Sequence, residues 1–213
     1  GMASTSRHPE LLLKLIRVLL LDDKVDQALT VSTEMVEKYS SLAEGWIAHG
    51  QVLLSLRRHD DAFQAFRRAY ELNPNSSVAA NNLAWDLADR QGKPSEAQDY
   101  ANRALLVEPD NADFLDTAGW IQYMLKNYSQ AITFLDKAWR IMSQTNHSGL
   151  ACTQYHLAAA YAMQAKGLTG AAKTAAVQKA NDLFKEAQTK WPTNTYTGST
   201  LKAFETAKSV LKD

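Results

Sequence analysis

The stretch AEGWIAHGQVLLSLRRHDDAFQAFRRAYELNP, residues 43–74, decides the fold. It carries two apolar patterns of helical period, separated by the charged run from Arg57 to Asp61 and closed by a proline. Trp46, Gly50, Ala62, Phe66, Ala69 and Pro74 mark its frame. Gly50 and Ala62 fall where the two helices of a hairpin approach closely, and a larger side chain there forces them apart. Phe66 fills the gap beside them. Pro74 ends the second helix because it has no N–H to donate, and Asn75, Ser76 and Ser77 offer side-chain oxygens to cap the next one.

The same frame recurs on both sides. Ala28, Ala62, Ala97 and Ala131 are 34, 35 and 34 positions apart, and a fifth copy around Ala180 arrives late. A fixed period of this length marks supersecondary units too small to bury their own apolar faces, so neighbours stack to make a core. Leu83, Ala84, Ala97, Ala101, Ala104 and Pro109 form one copy, with an extra residue expected in the Gln91–Pro94 turn. Ala118, Gly119, Ala131, Leu135 and Ala138 form the next. Upstream, Leu12, Leu15, Ile16, Leu19, Ala28 and Met35 fit more loosely. Downstream, Leu157, Ala158 and Tyr161 match a first helix, and Ala180, Phe184, Ala187 and Pro192 a second. Tyr161 to Ala180 spans 19 positions where Leu53 to Ala62 spans 9, so ten residues are inserted, around 167–179. Their alanine and lysine content predicts lengthened helices about a Gly167–Gly170 turn. The expected organisation is a disordered tail over residues 1–8, in which Gly1 before Met2 reads as a protease scar. Repeats follow over 9–42, 43–76, 77–111, 112–145 and 146–192, then a capping helix over 193–213 after a break at Pro192–Ser199.

The spacing of Trp46, Gly50, Ala62, Phe66, Ala69 and Pro74, with its copies in phase, resembles the tetratricopeptide repeat (TPR) family. The resemblance covers about 185 residues and implies an all-α superhelix, a solenoid of about five helix-turn-helix repeats. It further implies that first helices line a concave groove that receives a peptide or a partner's helix. Its groove-facing positions carry Asn81, Trp85, Asp116, Trp120, Tyr123 and Tyr155, with Cys152, Ala159 and Ala162 also in the fifth unit. In the groove reading, Trp85 and Trp120 anchor a bound segment while Asn81 and Asp116 pair with its backbone. In the alternative, both rings cover the seam between adjacent first helices. The family's carboxylate clamp is poorly matched: Lys14, Arg17 and Asn81 sit at plausible positions, but Ile47 and Gln51 interrupt it and Asp116 stands where a cation is needed. The phrases NNLAW (81–85) and LDTAGW (115–120), with EPDN (108–111) between them, are similar to bacterial TPR proteins associated with exopolysaccharide production and exosortase-type sorting.

Composition limits the remaining functions. Lysine plus arginine and aspartate plus glutamate number 23 each, so no global field attracts nucleic acid or an anionic membrane. The single cysteine, Cys152, excludes an intramolecular disulfide and reads as small-residue packing. His8, His49, His59, His147 and His156 are scattered, and neither a metal-ligand motif, a cofactor loop nor a nucleophile elbow is visible, so neither an enzyme nor a metal or cofactor site is expected. The apolar run Leu11–Leu21 is too short for a membrane span and reads as a helix. Within it Leu13, Leu20 and Leu21 fall on the groove or edge of a terminal repeat, which implies a cover: another subunit in a homodimer, or further repeats. The chain carries no export signal, so it reads as cytoplasmic as written and as periplasmic if it is a piece of an exported protein. The leading expectation is a non-enzymatic scaffold for protein or peptide partners. Its rivals are a self-associating module whose groove holds its own segment, and an assembly factor in bacterial envelope polysaccharide biosynthesis or protein sorting.

Overall fold

The computed structural model describes residues 8–145, 147–190, 201, 205 and 208–210, and every regular element among them is helical. The order is α1 (Pro9–Leu21), α2 (Val25–Lys38), α3 (Ala43–Ser55), α4 (His59–Leu72), α5 (Ser77–Trp85), a π-helical turn (Asp86–Arg90), α6 (Pro94–Val107), α7 (Ala112–Met124), α8 (Tyr128–Thr145), α9 (Leu150–Ala165) and α10 (Gly170–Lys190). Residues 1–7 of the tail expected over 1–8, the break at Pro192–Ser199 and most of the expected capping helix lie outside the described residues. Leu201, Glu205 and residues 208–210 are helical.

The chain forms two compact units, one through Leu83 and one from Ala84 onward. In the first, α1 packs on α2, α2 on α3, and α3 on α4. Leu12, Ile16 and Leu19 recur at four and three positions on one face of α1 and are buried with Ala28, Met35 and Val52. In the second, α6 packs on α7, α7 on α8, α8 on α9, and α9 on α10. The alanine beat has a steric meaning in both units: Ala28, Ala62, Ala97, Ala131 and Ala180 are each fully buried.

The turns inside the first four repeats are built alike. Asp23, Arg57, Gly92 and Lys126 all adopt positive φ, between 57° and 65°. The next residue's N–H reaches back into the first helix, from Lys24 to Leu19 O, Arg58 to Leu53 O and Asn127 to Gln122 O. This is the helix-ending motif in which a left-handed residue lets the chain satisfy its last carbonyls. In the third repeat the reach is one residue longer, from Lys93 to Leu87 O, around the π-helical turn Asp86–Arg90. That turn takes up the extra residue of the 35-residue spacing, as a single wide turn rather than a longer loop. Two helix starts, those of α5 and α7, are capped by side chains: Ser76 Oγ accepts from Ala79 N, and Asn111 Oδ1 accepts from Asp113 N and Phe114 N.

The last pair differs in length. Helix α9 has 16 residues against 13 in α1, α3 and α7, and α10 has 21 against 14 in α2, α4 and α6. Nine of the ten inserted residues are therefore absorbed as helix and one lengthens the turn. The joint is the short turn before Gly170, whose φ of 58° suits glycine.

Gly119 shows how closely α7 and α8 pack. A Cβ there meets Leu135 Cγ at 2.5 Å and the Leu135 backbone N at 3.2 Å. Gly119→Ala is therefore expected to destabilise the second unit by about 1–3 kcal/mol through overpacking, despite alanine's better helix propensity. Urea unfolding checks this, and an unchanged midpoint contradicts the packing account.

Candidate functional site

Each unit presents one candidate surface. In the second unit it grows from two helices. Asp116 and Trp120 lie one turn apart on α7, and Cys152 and His156 lie one turn apart on α9, so each pair shares a helix face. The packed helices bring the pairs together although Asp116 and His156 are 40 residues apart in sequence. His156 Nδ1 stands 3.0 Å from Asp116 Oδ1 and 3.2 Å from Oδ2, and its Nε2 stands 3.6 Å from Cys152 Sγ. His156 is 1% exposed and Asp116 9%, whereas Cys152 is half-buried.

Aromatic rings enclose the imidazole. Trp120 stacks on it at 4.4 Å between centroids, Tyr123 in turn stacks on Trp120 at 4.8 Å, and Trp85 lies tilted at 6.0 Å from His156. Trp120 Nε1–H donates to Asp89 Oδ1 at 3.3 Å, which gives the buried indole its polar partner. Burial by itself pushes the imidazole's proton affinity down. The Asp116 carboxylate outweighs it, with smaller help from Cys152, and holds His156 well above the usual imidazole value. Burial, assisted by Tyr128, pushes the Tyr123 hydroxyl up to about 12, so this ring stays neutral.

Of the groove positions expected from sequence, Trp85, Asp116, Trp120 and Tyr123 meet in this cluster. Trp120 is 1% exposed. Tyr155 is buried on another side, edge-on to Phe184 of α10 at 5.6 Å. Asn81 belongs to the first unit, where its Oδ1 is buried without a hydrogen-bond partner. His156, which sequence reading leaves among scattered histidines, sits at the centre. The legible signal was the four-residue spacing from Cys152 to His156 on one helix; the carboxylate from α7 has no sequence signal.

The donor atoms of Asp116, Cys152 and His156 lie within 4.8 Å of one another, an oxygen, sulfur and nitrogen set of the kind that zinc accepts. The ring, however, turns one nitrogen to the carboxylate and the other to the thiol. That is the arrangement of a hydrogen-bond relay.

In the first unit, α1 and α3 enclose a cleft of about 460 Å³ lined by Leu13, Ile16, Leu20, Leu21, Ile47 and Ala48, with Arg17, Glu44 and Gln51 at hand. Apolar walls with a few convergent polar groups are what a side-chain anchor requires. Leu13 and Leu20, expected on the groove or edge, are half-buried in this cleft, while Leu21 is 79% exposed. Among the described residues, no helix is long and apolar enough to cross a membrane.

The family model of the cytochrome c-type biogenesis protein H TPR domain matches residues 22–148, more than half of the chain. The chain belongs to this TPR family. A TPR repeat-containing protein of Pseudomonas aeruginosa is 34% identical over 65 residues; the match covers 30% of this chain and 11% of that protein. Among solved structures, YrrB, described as a TPR protein with an unusual peptide-binding site, matches with a TM-score of 0.62 at 17% identity over 82% of this chain and 86% of its own. MamA from Desulfovibrio magneticus RS-1 matches at 0.65 with 15% identity, over 87% of this chain and 99% of its own. A chain of the Cut9-Hcn1 hetero-tetramer of APC/C matches at 0.72 with 17% identity, over 96% of this chain and 38% of its own. At these identities the likeness carries the fold: an all-α TPR superhelix. TPR domains are scaffolds for protein interaction, and this chain is of that class.

Proposed function

We propose that this TPR domain binds a protein segment in the α1/α3 cleft, seating an apolar side chain between the two first helices. The observation that carries the reading is the lining: six apolar residues, with Arg17, Glu44 and Gln51 positioned to pair with polar groups of the segment. Arg17 and the neighbouring Lys14 are both exposed on α1 and favour an acidic residue beside the anchor. The aromatic cluster of the second unit is less suited to anchoring, because Trp120 is already enclosed by Tyr123 and His156.

Selection from a random peptide-display library on the immobilised domain tests this. Enriched peptides are expected to carry a leucine, isoleucine, phenylalanine or methionine next to an acidic residue. Leu20→Glu and Ile47→Glu bury a charge in the cleft and are expected to weaken such a peptide at least tenfold by fluorescence anisotropy, about 1.4 kcal/mol, with helicity retained. Unchanged affinity in both variants rules out the cleft.

A second reading, a homodimer through α1, is favoured by the exposure of Leu11, Val18 and Leu21, at 59%, 52% and 79%. Sedimentation velocity separates the two: a dimer dissociated by Leu21→Glu supports self-association, and a monomer that binds peptide supports the scaffold.

A further inference from the structure

We propose that Cys152 is a reactive thiol, activated by His156 and Asp116, and that it is a site of covalent modification by organic disulfides. The cysteine does not stand alone. A nucleophile, a base within hydrogen-bond reach of it, and a third group orienting the base are the three parts of an activated-nucleophile arrangement, and all three are present. Cys152 Sγ stands 3.6 Å from His156 Nε2, and Asp116 receives His156 Nδ1 at 3.0 Å.

The surroundings fit the task. Cys152 is the third residue of the 16-residue α9, in the first turn, where the helix dipole favours developing negative charge. His156 is locked: it is 1% exposed, held by Asp116 and stacked on Trp120 at 4.4 Å, a ring face that also favours a cation. Cys152 is half-buried, whereas its base and orienting carboxylate are buried. The strengthened proton affinity of His156 agrees with this geometry.

The step balances. The Cys152 sulfur attacks one sulfur of the disulfide, a new S–S bond forms, and the old one breaks with its electron pair on the departing thiolate. Where His156 is already the imidazolium that Asp116 stabilises, the Cys152 proton leaves to solvent and the imidazolium holds the thiolate by charge; at higher pH, where His156 is neutral, its Nε2 takes that proton. The product is a mixed disulfide on α9. No other co-reactant is needed. This inference concerns the second unit and is independent of the α1/α3 cleft.

Because the chain has one cysteine, the protein supplies its own control. The second-order rate with 4,4′-dithiodipyridine is measured on the folded domain and on the urea-unfolded chain, each divided by the rate of N-acetylcysteine in the same buffer. The folded ratio is expected to exceed the unfolded one at least tenfold, and Asp116→Asn, checked for helicity, to lose most of the excess. If that variant does not fold, the comparison within the unaltered chain still decides. A folded ratio equal to or below the unfolded one overturns the proposal. So does one-to-one uptake of Co²⁺ with a thiolate charge-transfer band that Cys152→Ser abolishes, since the residues are then ligands to an ion.

Discussion

Trp120→Ala is expected to lower the unfolding free energy by about 3–5 kcal/mol, the range for truncating a fully buried large aromatic. Trp120 is 1% exposed and belongs to the core of the second unit with Leu135, Leu157 and Ala158. Its ring stacks on both Tyr123, at 4.8 Å and 8° between planes, and His156, at 4.4 Å and 21°. Truncation opens a cavity between α7 and α9, removes both stacks and leaves Asp89 without the indole N–H. Trp85→Ala is expected to cost markedly less, because Trp85 is only half-buried. The pair of variants is compared by urea unfolding followed by far-UV circular dichroism. Equal losses would show that the two indoles carry the same load, against the enclosure described above.

Asp116→Ala carries the second large effect, about 3–5 kcal/mol when His156 is charged, since it strands one member of a buried ion pair. The pH dependence has a definite sign. In the folded chain Asp116 overcomes the opposing effect of burial and holds the His156 proton affinity above its usual value of 6.5. The folded state therefore binds the proton more tightly than the unfolded one, and the resulting stabilisation is fully present below about pH 6.5 and lost as pH rises through the folded value. The groups that matter are Cys152 on α9 itself and, on α7, Asp116 and its neighbour Asp113, whose carboxyl is raised by burial. In Asp116→Ala only burial and Cys152 remain, so the gap between variant and unaltered chain is expected to be widest near pH 6 and to narrow in the alkaline range. Urea titrations at about pH 6 and pH 9 measure it. A gap that widens with pH assigns the role of Asp116 to something other than charge on His156.

The repeat was legible because its causes are local or periodic. A buried alanine every 34 or 35 residues and a glycine against a phenylalanine or leucine are requirements of close helix packing, and they leave a mark at fixed intervals. The turns were legible as punctuation, but most of their left-handed residues were not: Gly92 and Gly170 announce positive φ, while Asp23, Arg57 and Lys126 adopt it because the helix-ending hydrogen bonds require it. The 35-residue spacing showed that a residue had been added; whether it widens a helix turn or lengthens a loop depends on backbone geometry. Trp85, Asp116, Trp120 and Tyr123 were legible as residues sharing a face. Their mutual engagement was not, because a helical wheel gives direction without saying what stands opposite.

The sequence by itself therefore determined the class of molecule: an all-α array of helix pairs, with a lengthened last pair and apolar leucines along α1. Periodicity carries such information because every repeat obeys the same packing rule. Only the tertiary structure decided that Asp116, Cys152 and His156 meet beneath two indoles, and that Leu13 and Leu20 face Ile47 and Ala48 across a cleft. Each of those encounters brings residues of one helix against residues of another, and the distance across is set by how the helices pack rather than by any spacing along the chain.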